Sequence, residues 1–208
     1  TGAVGAVSLA GVSPAFRELF GITSEEQAKN LGVVQMNQVF EDKNGSGATV
    51  TVKEAAADQE QFYILVEFAA PEGTVLPEPD QVEEGFNRAV LWGGPDGRGI
   101  GFGAYRDESC TSFIGSSEAG YAIDYVEDSD PTDNKMEFII RGHIDPMPKD
   151  AAYCLFSGIQ SLCMQYQGEW VTMLDGMDID LIVPLVGMGT HYDFQGRCGV
   201  NLNGVTLA

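Results

Sequence analysis

The period of apolar and polar positions changes along the chain, placing helices first and strands afterwards. Ser13-Pro14 has the form of a helix start, with Ser as N-cap and Pro at the first helical position. Phe16, Leu19 and Phe20 then share one face, and Gly21 ends the helix. Thr23 offers a second N-cap, with Glu26 three residues on as its capping-box partner. That helix runs to about Leu31, with Gly32 as a left-handed stop.

From Val33 onward the period is two. Residues 33–41 read as a strand, and Asn44-Gly45-Ser46-Gly47 as a turn. In residues 48–54, Val50 and Val52 point one way and Thr49, Thr51 and Lys53 the other. A loop over Ala55–Glu60 precedes FYILVEF, residues 62–68, which is apolar on both faces except at Glu67. Such a strand is covered on both sides and sits centrally. Pro71–Asp80 is a proline-rich exit loop. Strands are expected at 88–92 and 100–105 around the loop Gly93–Gly99, then at 109–114 and 120–126. The acidic loop Glu127–Asn134 leads into a strand at 135–144, with further strands near 152–158, 162–166, 178–186, 190–194 and 198–206.

Many short strands of this spacing predict an all-β chain, an immunoglobulin-like β-sandwich with Greek-key connections and short N-terminal helices. Residues 1–32 form the helical lead-in and 33–208 the sandwich, with no internal repeat or low-complexity linker between them. The 208 residues suit one such unit, and 44% hydrophobic residues provide a core.

Charge narrows the partners. With 11 Lys+Arg against 31 Asp+Glu, the formal charge is −20, which repels phosphate backbones and anionic lipid. No nucleic-acid partner is expected. Residues 1–12, TGAVGAVSLAGV, are small, apolar and uncharged. They fall short of the ~20 residues that a spanning helix needs. They read either as the outer end of a membrane helix or signal peptide, or as a packed or flexible N-terminal segment.

Candidate chemistry is sparse. GGPDGRGIGFG, residues 93–103, spaces its glycines as GxGxGxG and lacks both phosphate-loop patterns, so it reads as a turn feeding a strand. GSSEAG, residues 115–120, is not a nucleophile elbow. The two histidines each begin a His-x-Asp, His143 with Asp145 and His191 with Asp193. Residues two apart on a strand share a face, so four ligands would converge on one metal ion if the two strands were neighbours. Two polar strand ends are the simpler reading. The acidic sets Asp128, Asp130, Asp133 and Asp175, Asp178, Asp180 offer oxygens to calcium but lack the EF-hand pattern. Trp92 and Trp170 read as core or loop anchors. Cys110, Cys154, Cys163 and Cys198 have no close ligand pair; Cys154 with Cys163 could close a short loop, and free buried thiols are the alternative. No residue is assigned a catalytic role, and no cofactor is expected.

The segments SPAFRELFG (13–21), LGVVQMNQVFEDKNG (31–45) and ATVTVKEAAADQEQFYILVEFAAPEGTVL (48–76) resemble the domain-of-unknown-function family numbered 4179 of Gram-positive bacteria. The shared features are the lead-in helix, the TVTVKEAAAD strand and turn, and the YILVEF strand running into APEGTVL. A weaker similarity at GEWVTMLDGMDIDLIVPL (168–185) implies a tryptophan-led strand pair. Members look like single-pass membrane proteins with a cytoplasmic N-terminal part, one spanning helix and an external domain, several of them anti-sigma-factor-like. The family has no established catalytic residues. The resemblance favours TGAVGAVSLAGV as the outer end of a membrane helix. It implies a non-enzymatic sensory or regulatory ectodomain at the bacterial cell surface, partnered by an unknown envelope ligand or protein. An adhesin-like display module and a metal-dependent hydrolase built on the His-x-Asp pairs are the alternatives.

Overall fold

The computed structural model describes residues 8–76, 90–92, 101–117, 119–126, 130, 132–144, 147–174, 177 and 179–186. After a 3-10 turn at Leu9–Gly11, helix α1 spans Pro14–Phe20 and α2 spans Glu25–Leu31. The Ser13 side chain accepts from the Phe16 amide, and Gly21 closes α1 at φ 61°. Gly32 closes α2 at φ 68°. The capping box of α2 lies one residue later than the sequence suggested. Ser24 is the N-cap and Gln27 its partner, and the Gln27 Oε1 also takes the amide and hydroxyl of Thr23. Thr23 and Ser24 compete for one role, and a single glutamine serves both.

Twelve strands follow among the described residues. They are β1 (Val34–Glu41), β2 (Thr49–Ala57), β3 (Gln61–Ala69), β4 (Val90–Trp92), β5 (Gly101–Tyr105), β6 (Phe113–Ser117), β7 (Ala119–Val126), β8 (Lys135–Ile144), β9 (Tyr153–Ile159), β10 (Leu162–Tyr166), β11 (Glu169–Leu174) and β12 (Ile179–Pro184). A five-stranded sheet runs β1-β2-β3-β8-β7, a four-stranded sheet β12-β9-β5-β6, and a three-stranded sheet β11-β10-β4. All pairings are antiparallel.

The three sheets enclose one core, giving the mainly β, sandwich-like fold with short N-terminal helices that the sequence predicts. Val50, Val52, Ile64, Val66, Phe138 and Ile140 of the five-stranded sheet meet residues of the other two, among them Ala104, Leu162, Met164, Leu181 and Val183. Phe62 of β3, Phe102 of β5 and Phe156 of β9 join the layers as three mutually touching rings, with centroids 4.0–5.3 Å apart. Burying each ring is worth roughly 1.5–3 kcal/mol.

The opposite face of the five-stranded sheet is covered as well. Phe16, Phe20, Ala28 and Leu31 of the helices pack with Ala56, Tyr63, Leu65 and Ile139 in a second cluster. This is why FYILVEF carries apolar residues at both parities: Phe62, Ile64, Val66 and Phe68 face the sandwich, and Tyr63 and Leu65 face the helices.

Several boundaries differ from the sequence reading. Ala55–Ala57, expected in a loop, extend β2 and pair with Ile64, Tyr63 and Phe62. Strict alternation in β2 also fails, because a register shift between Val52 and Glu54 marks a bulge at Lys53. Residues 106–112 form a loop, and β6 begins only at Phe113. Strand β11 follows its partner β10 by two residues, in the place where the resemblance implied a tryptophan-led strand, and its Trp170 is 50% exposed rather than a core anchor. The expected strands at 190–194 and 198–206 lie outside the described residues.

Candidate functional site

A polar arrangement centred on a buried carboxylate joins the N-terminal lead-in to the sheet. Glu54 of β2 is only 3% exposed, a costly position for a carboxylate unless its oxygens are satisfied. The Ser13 amide donates to its Oε1 at 2.8 Å, and the Ser13 hydroxyl to its Oε2 at 2.9 Å. Gln35 of β1, which pairs across the strands with Glu54, donates from Nε2 to the same Oε1 at 2.8 Å and to the Gly11 carbonyl at 2.7 Å. One carboxylate thus holds the residue that starts α1, and one amide bridges that carboxylate to the turn before it.

Aromatic packing completes this latch. Phe16 and Phe20 stack edge to face at 5.4 Å, and Phe20 meets Tyr63 of β3 edge to face at 4.8 Å. The Tyr63 hydroxyl donates to Gln61 at 3.1 Å. The remainder of this sheet face is charged: Lys53 bonds Glu137 at 2.5 Å and Glu67 at 3.3 Å, and Lys135 bonds Glu67 at 3.2 Å. Arg141 pairs with Asp124 on the neighbouring strand.

The metal candidates are only partly placed. His143 is exposed near the end of β8, paired with Gln61 on one side and Gly120 on the other, and its ring lies across the Gly120 backbone. Asp145, His191 and Asp193 lie outside the described residues. Among the described residues, no three His, Cys, Asp or Glu side chains converge as a metal site requires. In the first acidic set, Asp130 accepts from the hydroxyl and amide of Thr132, which lower its pKa, and Asp133 accepts from the Lys135 amide at 2.7 Å. These oxygens serve local turns. Asp180 is exposed on β12, and Asp128, Asp175 and Asp178 lie outside the described residues.

The remaining motifs resolve into structure. Gly101 and Gly103 of the glycine-rich stretch lie on β5, and Gly115 and Ser116 on β6; residues 93–100 are outside the described range. Cys110, Cys154 and Cys163 are free thiols. Cys154 points into the core, whereas Cys163 alternates with buried Leu162 and Met164 and faces outward, so these two do not close the short loop. Cys198 is outside the described residues.

Asp58, at the β2–β3 turn, is 5% exposed. Its Oδ1 accepts the amides of Glu60 and Gln61 at 2.7 Å each, and its Oδ2 has no hydrogen-bond partner among the described residues.

Sequence reasoning missed Glu54. The one available signal was an acidic residue inside an otherwise alternating strand, and its partner lies 41 residues away. No helix among the described residues is long and apolar enough to cross a membrane. No family model, curated protein or solved structure matches the chain.

Proposed function

We propose that this protein is the extracytoplasmic domain of a membrane-anchored cell-envelope protein, a sensory or regulatory, anti-sigma-factor-like module that binds an envelope signal or partner without catalysis. The observation that carries the reading is the latch between the lead-in and the sheet. A display module needs only a loose tether. Here the residues that would follow an anchor are built into the five-stranded sheet through Glu54, Gln35 and the Phe16-Phe20-Tyr63 stack. A ligand-induced shift of that sheet would be delivered to Ser13 and from there to the anchor, because the contact is a set of short directional bonds. The resemblance over residues 13–76 supports the same arrangement. The acidic surface suits a soluble domain facing water.

The test is fractionation of the native organism with antibody to this domain, followed by protease treatment of intact cells. Membrane association with external epitopes open to protease is the expected result. A soluble protein inside the cell, untouched by protease, overturns the reading. In the anchored full-length protein, Glu54→Ala then separates regulation from display. A regulator loses its downstream response per molecule at the surface, once the variant's lower abundance is measured and corrected for, and a display module does not.

A further inference from the structure

The β1–β2 hairpin turns through Asp42-Lys43-Asn44-Gly45-Ser46-Gly47, and one aspartate organises that turn. The Asn44 amide donates to the Asp42 Oδ1 at 3.0 Å, and the Ser46 amide to its Oδ2 at 3.2 Å. The Gly45 amide donates to the Asp42 carbonyl at 3.0 Å, and the Asp42 amide to the Ala48 carbonyl at 3.0 Å. The Asn44 side chain also hydrogen-bonds the Asp42 carboxylate.

Asn44, Gly45 and Ser46 are exposed. A glycine after an asparagine leaves the following backbone nitrogen open, because no Cβ stands beside it. Gly45 has φ 74°, and a Cβ placed on it would meet nothing within 4 Å. The other asparagines among the described residues precede larger side chains: Asn30 before Leu31, Asn37 before Gln38 and Asn134 before Lys135. Asn134 is also held, its Nδ2 donating to the Ala70 carbonyl. The second Asn-Gly pair of the sequence, Asn203-Gly204, lies outside the described residues.

We propose that Asn44 is a deamidation site whose rate Asp42 governs. The Gly45 backbone nitrogen attacks the Asn44 Cγ, and its proton passes to water. The bond from Cγ to Nδ2 breaks, the side-chain nitrogen leaves as ammonia, and a succinimide ring joins residues 44 and 45. Water then opens the ring at either carbonyl, giving aspartate or isoaspartate at position 44. One water is consumed and one ammonia released, with no change of oxidation state. The attack needs the nitrogen and the carbon to approach within roughly 3–3.5 Å in the right orientation. Asp42 opposes this at both partners: its carbonyl holds the Gly45 N–H, and its carboxylate holds the Asn44 side chain. Once formed, the new carboxylate meets Asp42 with like charge, so an attraction becomes a repulsion and the turn loosens. The change is confined to the end of the strand pair where Glu41 faces Thr49, opposite the end where Gln35 faces Glu54.

The test incubates the folded chain, the folded Asp42→Ala chain and the urea-unfolded chain at pH 8. Peptide mapping with electron-transfer fragmentation separates asparagine, aspartate and isoaspartate at position 44. Conversion is expected to be slow in the folded chain and about tenfold faster in Asp42→Ala, as release of the hydrogen bonds at the two reacting groups implies. The unfolded chain converts at least as fast as Asp42→Ala, and Asn44→Gln abolishes the product. The Asp42→Ala chain keeps the native amide signals of α1, so its faster conversion is not unfolding. Equal rates in the three samples overturn the proposal. So does fast conversion in the unfolded chain with none in Asp42→Ala, which places the protection outside Asp42.

Discussion

Glu54 and Ser13 are bonded twice, the amide of Ser13 to one carboxylate oxygen and its hydroxyl to the other, across 41 residues of sequence. Ser13 in turn caps α1 through the Phe16 amide, so a carboxylate on a strand fixes where a helix begins. Glu54→Ala leaves the half-buried Ser13 amide and hydroxyl without this acceptor, while the exposed Gln35 amide keeps the Gly11 carbonyl, and costs about 2 kcal/mol in urea unfolding. Glu54→Gln, which keeps one acceptor, costs about half as much. In native-state amide exchange the loss appears first in residues 12–31, and an unchanged exchange pattern there would refute the latch.

Gly142 admits no side chain. A Cβ at this position on β8 would strike the Gly120 carbonyl and the buried ring of Phe62. Neither neighbour is a flexible chain end, so Gly142→Ala destabilises by about 3 kcal/mol. Gly45→Ala is the control: its φ is 74° but nothing crowds it, and the cost is confined to about 1 kcal/mol of backbone strain. Chemical denaturation of both variants checks the difference.

Acid acts on the 106–112 loop only after it has acted on most surface carboxylates. The Ser109 hydroxyl first, then the amides of Thr111 and Ser112, hold the Asp107 carboxyl down at about 2, against an ordinary 3.8. A depressed folded value means that the contribution is present above 3.8 and lost as pH falls through about 2. The amide signals of Thr111 and Ser112 therefore titrate together near pH 2, and in Asp107→Asn they are displaced already at neutral pH. Titration of these amides near 4 would show that the carboxylate is not held.

The reduced protein sorts its thiols by burial. Of the three described thiols, iodoacetamide at pH 8 modifies Cys163 first and Cys110 more slowly, because burial and the neighbouring Asp107 raise the Cys110 thiol. Cys154 reacts only on unfolding. Labelling of Cys154 at the rate of Cys163 in native protein would contradict its place in the core.

Trp170 and Phe138 make opposite predictions from similar bulk. Phe138 is fully buried between the sheets, and Phe138→Ala costs about 4 kcal/mol. Trp170 is half exposed on the edge strand β11, and Trp170→Ser changes stability by no more than about 0.5 kcal/mol. Urea midpoints of the two variants measure both.

The local parts of the fold were legible because their signals are local. Ser13-Pro14, Gly21 and Gly32 punctuate the helices through cap chemistry that operates within four residues. The double-sided apolar run 62–68 declared a strand covered on both faces, and KMEFIIRGHI matched β8 from end to end. Ala55–Ala57 were misread because alanine has little strand preference, and their place comes from tight packing under Phe16 and against the core. Strand β11 was invisible to an apolar pattern because four of its six residues face solvent. The bulge at Lys53 and the role of Glu54 depend on partners far along the chain, which spacing within the strand does not encode. His143 could be recognised as a strand-end residue, but its neighbours across the sheet, Gln61 and Gly120, are set by register alone.

The helices that cover Tyr63, Leu65 and Ile139 occupy only part of the sheet's outer face, beside the ladder of Lys53, Glu67, Glu137 and Lys135. They therefore act as a built-in shield for a greasy patch bordered by charge. A chain cut to begin at Val33 would keep every strand yet uncover that patch. It would self-associate face to face, with salt weakening the repulsion of its acidic surface and so promoting the association. The stretch from Val12 to Leu31 is therefore an outer layer of the sheet, not an appendage to it.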